Sequence, residues 1–380
     1  MRAATFFDGE GWRDGIIELV DGRMRLRDET PARDLPRLDG VIVGGFTDHH
    51  VHLQLVDHTL LHGSTLGRVV DLGANPAAVA ALSAALGGAE DPCANSSGAR
   101  NASADPCGVR NASESAFSRA FSTPHEIATP HRIEHAVAVE FAGAFLTPVG
   151  GYPSDREWAP AGSFREITDA TAARAAVAEM ADAGASFIKV ASNADAGPVF
   201  TDDLFRAIVD TASAHGLPVV AHAQGAGEAQ RVARLGATHL AHAPFTERLD
   251  DTEVAVQAAS VVWISTLSIH DGGTPDERHT LATAVDNVRR FDAAGGTVLY
   301  GTDMGNGPTP VGLNPTELTA LREAGITGTA LLRALAPQDP RDLASLLLRL
   351  PDTDTDTGTD AEPDPEPILA RPLTSADLKA

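Results

Sequence analysis

Lysine is almost missing from this 380-residue chain: among 29 basic residues only Lys189 and Lys379 are lysine, and arginine supplies the rest. Cysteine is as scarce. Cys93 and Cys107 both fall in a stretch without periodicity, which excludes a disulfide framework and a cysteine-based zinc site and points to a reducing compartment. No apolar run approaches the roughly 18 residues of a membrane span. Residues 1–13 carry acidic and glycine residues where a secretory leader needs a basic start and an apolar centre, so a soluble, cytoplasmic protein is expected. Positive charge is short overall. The formal net charge of -23 excludes nucleic acid and anionic membrane as partners, because both need a basic face. The expected partner is a small-molecule substrate, with a homo-oligomer left open.

What is present is enough for a large core, at 43% hydrophobic residues. Residues 1–44 read as short extended pieces separated by the turn signals Asp8-Gly9, Asp14-Gly15 and Asp21-Gly22. From Val41 the rhythm changes. Apolar strands at 68–72, 136–146, 186–190, 218–221, 238–241, 261–265 and 297–300 join the one leading to His50, which makes eight. Between the later ones lie alanine-rich segments of helical period, at 171–183, 202–214, 226–235, 251–259 and 280–294. This alternation predicts an α/β fold, a (β/α)8 TIM barrel over 45–340. Residues 1–44 with 341–380 are expected to form a small β-sandwich, incomplete or completed by a partner chain. In it 342–348 reads equally as helix or strand, and Ile368-Leu369-Ala370 as a further strand.

Two stretches break the pattern. Residues 87–130, with an imperfect repeat around Asp91-Pro92-Cys93 and Asp105-Pro106-Cys107, read as a lid over the site or an irregular, mobile insert, and the scarcity of large apolar residues to pack favours the insert. Its sequons at Asn95, Asn101 and Asn111 would carry sugar only in a secreted eukaryotic protein, and with no leader read at 1–13 they are expected to be unglycosylated. The tract at 351–367 holds seven acidic residues and no basic one, and reads as a solvated linker.

The chemistry begins at Gly45-Phe46-Thr47-Asp48-His49-His50-Val51-His52, where strand alternation puts His50 and His52 on one face, able to reach one ion. A lone His-x-His is weak; the residues downstream strengthen it. Lys189 stands in the apolar strand Ser186-Phe187-Ile188-Lys189-Val190. A lysine there ordinarily snorkels from a strand end, but a desolvated one loses its proton and becomes a nucleophile able to form a carbamate with CO2. His222 and His242 each directly follow an apolar strand, as does Asp303 after Thr297-Val298-Leu299-Tyr300-Gly301-Thr302. In a barrel those strand ends open on one face.

These motifs, with Phe187-Ile188-Lys189-Val190, Val220-Ala221-His222-Ala223, Leu240-Ala241-His242 and Gly301-Thr302-Asp303, resemble the metal motifs of the amidohydrolase superfamily, in its prolidase-like and imidazolonepropionase-related branch. The resemblance runs from about Val41 to Leu335, excluding the insert. It implies two divalent ions, zinc suiting the ligands best. His50, His52 and Asp303 would hold one ion, His222 and His242 the other, and N-carboxylated Lys189 would bridge them. The implied activity is hydrolysis of a C–N bond in an amide, cyclic amide or dipeptide by a metal-bridging hydroxide, with Asp303 as the catalytic proton carrier. Two alternatives stand beside it: a mononuclear deaminase of the same superfamily, against which Lys189 argues, and a non-catalytic metal-binding barrel.

Other polar residues carry weaker expectations. His270, Asn193 and Tyr152 lie in loops after barrel strands and are the candidates for substrate binding. His49 faces away from His50, His239 is out of phase with His242, and His215 suits a helix C-terminus.

Overall fold

The computed structural model describes residues 1–87, 135–351 and 366–379. The insert beyond Gly87, with Cys93, Cys107 and the sequons, lies outside the described residues, as does the acidic tract between Pro351 and Glu366. Four strands open the chain: β1 (Arg2–Phe7), β2 (Trp12–Val20), β3 (Arg23–Arg27) and β4 (Arg37–Gly44). The β2–β3 hairpin turns through Asp21 (φ 50) and Gly22 (φ 80), the left-handed pair that Asp-Gly supplies most easily.

The main body follows at once, because Gly45 alone separates β4 from β5 (Phe46–Val51). Then come β6 (Leu66–Asp71), α1 (Pro76–Leu86), β7 (Ala138–Phe141), β8 (Phe145–Pro148), β9 (Phe164–Ile167), α2 (Ala170–Asp182) and β10 (Ile188–Asn193). They are followed by α3 (Asp202–Ala214), β11 (Val219–Gln224), α4 (Glu228–Arg234), β12 (His239–Leu240), α5 (Asp251–Ala258), β13 (Val262–Ile264), α6 (Pro275–Ala293) and β14 (Thr297–Leu299). α7 (Pro315–Glu323), α8 (Gly328–Ala334), β15 (Leu347–Leu350) and β16 (Arg371–Pro372) complete the order.

The fold is mixed α/β. A seven-stranded parallel sheet runs β14-β13-β12-β11-β10-β8-β9, and a three-stranded parallel sheet runs β5-β6-β7. Parallel strands covered on both faces are near-continuously apolar, as Val219-Val220-Ala221 and Val262-Trp263-Ile264 are. The two sheets meet where His49 N–H donates to Tyr300 O (3.0 Å), His52 N–H donates to Met304 O (2.7 Å) and Val51 bridges Met304 in parallel. Between β13 and α6, buried Trp263 stacks on Phe291 with ring centres 3.8 Å apart, and its indole N–H donates to Gln257 Oε1 at 3.0 Å. A six-stranded curled sheet, ordered β16-β15-β4-β1-β2-β3, covers its own apolar cluster around Phe6, Ile17, Leu26 and Ile42. Among the described residues no helix is long and apolar enough to cross a membrane.

Several elements differ from the sequence reading. The single strand expected at 136–146 is two, β7 and β8, because Gly143 (φ 73) breaks it; a Cβ there would sit 2.5 Å from Met180 Sδ. β9 was not anticipated; its four residues are too short to show a period. α6 begins at Pro275, not 280, because Thr274 and Glu277 form a reciprocal capping box with proline at the first turn. In the region left open between helix and strand, 347–350 is β15, antiparallel to β4. The strand expected at 368–370 is a 3-10 turn, Pro367–Leu369, and the pairing falls instead on β16. Ile368 and Leu369 are exposed, whereas Leu373 is buried.

Candidate metal centre and substrate cavity

His50 and His52 lie on the inward face at the end of β5. Each uses Nδ1 to donate to a carbonyl, His50 to Ala241 O (2.8 Å) and His52 to Gly73 O (3.1 Å). Since a carbonyl only accepts, the Nδ1 proton is fixed and each Nε2 keeps its lone pair, the arrangement that orients metal-binding imidazoles. Both Nε2 atoms face one oxygen, Asp303 Oδ1, at 3.2 and 3.0 Å. That oxygen is buried without a hydrogen-bond donor. Three acceptors thus converge, their ligand atoms all within 4.8 Å of one another. A cation between them resolves what is otherwise mutual repulsion in a buried space. The donor set, two imidazoles and a carboxylate, fits a divalent transition metal.

Asp303 reaches this point through a strained backbone, its φ being +54. The strain is held from two sides. Asp48 Oδ1 accepts the N–H of His50 (3.0 Å) and of Thr302 (3.1 Å), while Oδ2 accepts the Thr302 hydroxyl (2.6 Å). Met304 N–H donates to His50 O (3.3 Å), and Asn306 Nδ2 donates to Asp303 Oδ2 (2.7 Å).

Lys189, on β10, is buried, with Nζ 3.4 Å from His50 Nε2 and 5.6 Å from the centre of the Phe145 ring. Burial pushes its ammonium down to about 7, against the pull of Asp303 and Asp71, so the neutral amine is accessible near neutral pH. His222, on β11, and His242, just after β12, continue the ring of imidazoles. His50 to His242 and His242 to His222 are each 4.8 Å between ring centres. His242 Nδ1 meets Thr266 Oγ1 at 2.8 Å, and Thr266 is itself in the left-handed region (φ 42). Burial keeps both imidazoles neutral, His222 pushed down to about 4 and His242 well below its ordinary value. A metal ligand needs that neutral form.

Above these groups opens a cavity of about 720 Å3. Tyr152, Asn193 and His270 all line it. Tyr152 stacks on His222, with ring centres 5.2 Å apart, and His270 lies 4.5 Å from Phe245. Asn193 Nδ2 donates to Gln224 Oε1 (2.9 Å) and lies 3.4 Å from His222 Nε2; its Oδ1 is buried without a partner. His49 faces the other way, Nδ1 donating to Tyr300 O (3.0 Å), beside Phe187 and His239.

Residues 41–343 match the family described as Amidohydrolase family. The chain belongs to the amidohydrolase family. No curated protein matches this amidohydrolase. Among solved structures, ochratoxinase from A. niger is 14% identical, with a TM-score of 0.61 over 92% of this chain and 90% of that one. A Xaa-Pro dipeptidase with bound methionine is 16% identical, with a TM-score of 0.61 over 92% of both chains. Phenylurea hydrolase B is 15% identical, with a TM-score of 0.59 over 93% of this chain and 92% of that one. At such identities the likeness is one of fold.

Sequence reasoning about this amidohydrolase missed three supports. Asp48 was visible only as part of a motif, though an acid inside an apolar strand end is itself a signal of pairing. Glu317, fully buried on α7, accepts the N–H groups of Leu267 (3.0 Å) and Ser268 (2.7 Å), so it anchors the turn that carries His270. Asn306 sits in the Gly305-Asn306-Gly307 turn, where only the fold shows that its amide meets Asp303.

Proposed function

We propose that the chain is a metal-dependent hydrolase of C–N bonds, built on a (β/α)8 barrel with a small sandwich-like domain from 1–44 and 341–380. The single observation that carries the reading is the buried, donor-less Asp303 Oδ1 faced by two imidazoles whose other nitrogens are already committed. The barrel reading is supported by the parallel pairing within β5–β7 and within β8–β14, and by the hydrogen bonds that join β5 to the turn after β14. His50, His52 and Asp303 would hold one divalent ion and His222 and His242 a second, with Lys189 between them as its carbamate. Zinc suits this set. When bound, such ions lower the pKa of water toward neutrality and polarise a carbonyl.

The chain's own groups supply the rest. Asp303 Oδ2, held by Asn306, takes the proton of the attacking water and returns it to the departing nitrogen. Neutral Lys189 can add CO2 because its burial, which pushes the ammonium down to about 7, makes the free amine a major form near neutral pH. Asn193, Tyr152 and His270 position the substrate from the cavity wall. Metal analysis, with hydrolysis assays over N-acyl amino acids, Xaa-Pro dipeptides and lactams with and without added zinc, tests the reading. The expected result is about two ions per chain and turnover that a chelator abolishes and zinc restores. Asp303→Asn is expected to lose at least about a thousandfold in rate while retaining part of the metal. One ion per chain with deaminase activity, or near-normal rates in Asp303→Asn, overturns it.

A further inference from the structure

The cavity over the metal centre is lined by acidic and neutral groups. Asp271 and Glu277 line it, together with Tyr152, Phe245 and Asn193, and among the described residues no lysine or arginine does. Arg156 comes close, its guanidinium 5.7 Å from the centre of the Tyr152 ring, but it is not a lining residue. Glu277 is held in place at the start of α6, where its Oε2 accepts the N–H (3.0 Å) and the hydroxyl (2.6 Å) of Thr274. Its charge reaches the interior: the carboxylates of Asp303 and Glu277 both act on the ring of His270, which burial keeps neutral, its value pushed down to about 4. His270 therefore offers no compensating positive charge at neutral pH.

A second observation points to a ligand independently of the acids. Asn193 is 5% exposed and lines the same cavity, and its carbonyl oxygen lacks a donor, while its amide is engaged by Gln224. A buried acceptor left open costs free energy unless something bound supplies an N–H or O–H.

From this we infer that the substrate is a C–N compound carrying a positive charge, an ammonium or guanidinium group, with an N–H available to Asn193, and that substrates carrying a carboxylate at the same end are disfavoured. The inference rests on the hydrolase reading for its chemistry but not for its binding preference. The carboxylates of Asp271 and Glu277 attract the cation across the cavity. At that end a carboxylate would meet like charge, with no lysine or arginine among the described lining residues to pair with.

Two experiments separate this inference from the reading beneath it. In the first, zinc-loaded protein is assayed on matched sets of aryl amides and dipeptides whose members differ only in one terminal group, aminomethyl, methyl or carboxyl. The cationic member is expected to lead in kcat/KM by about fivefold over the neutral one and by more over the anionic, with the lead shrinking as salt rises. In Asp271→Asn/Glu277→Gln, where glutamine preserves the capping box, the ratio of cationic to neutral rates should fall toward one. Hydrolysis that favours the anionic members overturns the inference and leaves the hydrolase reading intact. In the second, binding of phenethyltrimethylammonium, a cation with no lone pair for a metal, is compared between the native chain and the double variant. A dissociation constant weakened about fivefold in the variant supports the inference even if no substrate turns over, and equal constants overturn it.

Discussion

The carboxylate of Asp48 accepts both the backbone N–H and the hydroxyl of Thr302, at 3.1 and 2.6 Å, although 254 residues separate the two. With the His50 N–H it collects three donors, so one side chain sets the spacing between the strand that carries His50 and the turn that carries Asp303. Asp48→Ala leaves those donors buried and unmatched, and is expected to cost about 3 kcal/mol of stability. Metal content, measured by elemental analysis after desalting, should fall with it. Asp48→Asn keeps the acceptor shared by the two N–H groups and should recover most of both, which separates hydrogen bonding from charge.

Lys189 tests the carbamate directly. Protein equilibrated with 13C-labelled bicarbonate is expected to show one slow-exchanging carbamate carbon resonance that is absent in Lys189→Ala. That variant should also lose at least about a hundredfold in kcat/KM. Lys189→Arg should do no better, because guanidinium stays charged when buried and forms no carbamate.

At the far edge of the molecule, Asp377 clamps the C-terminal segment. It pairs with Arg371 and with Arg349 (3.1 Å), and accepts the N–H and hydroxyl of Thr374 at 2.8 and 2.9 Å. The hydrogen-bonded Arg371 guanidinium and the Thr374 donors, outweighing burial, hold its carboxyl well below the usual range. A depressed folded value gives stability that is present above the unfolded carboxyl value near 4 and lost as pH falls through the folded one. The Tm gap between the native chain and Asp377→Asn should therefore be steady from pH 7 down to about 5 and narrow in stronger acid.

Gly301 is required by close approach. A Cβ there would stand 2.3 Å from Ile264 Cγ2 and 3.2 Å from His50 Cβ. Gly301→Ala should cost about 1 to 3 kcal/mol and displace His50, so that a denaturant melt and the zinc affinity deteriorate together.

The residues around Asp303 were legible in sequence for one reason. Each lies on or just after a buried parallel strand, whose apolar run is hard to mistake, and parallel strands deliver their C-terminal ends to one side. Helix interiors such as Asp202–Ala214 were read correctly for a similar reason, since thirteen residues of period 3.6 leave little ambiguity. What failed was short or capped structure. β9 has four residues, β16 has two, and the start of α6 depends on a reciprocal bond between Thr274 and Glu277 rather than on hydrophobic period. Asp48 and Glu317 were silent because the Thr302, Leu267 and Ser268 groups they bind are distant in the chain, and Asn306, although only three residues from Asp303, was silent because the turn that aims its amide at that carboxylate has no periodic signal.

Adjacent histidines on β5 have a consequence for quality control. A slip of one residue along this strand would turn His49 and Val51 inward where His50 and His52 now stand, leaving a single imidazole at the position of two. Such a molecule would keep its composition and nearly all its helices, and circular dichroism would pass it. If the proposed metal binds here, its stoichiometry would count the molecules whose strand has settled in the right alignment and so gauge folding fidelity.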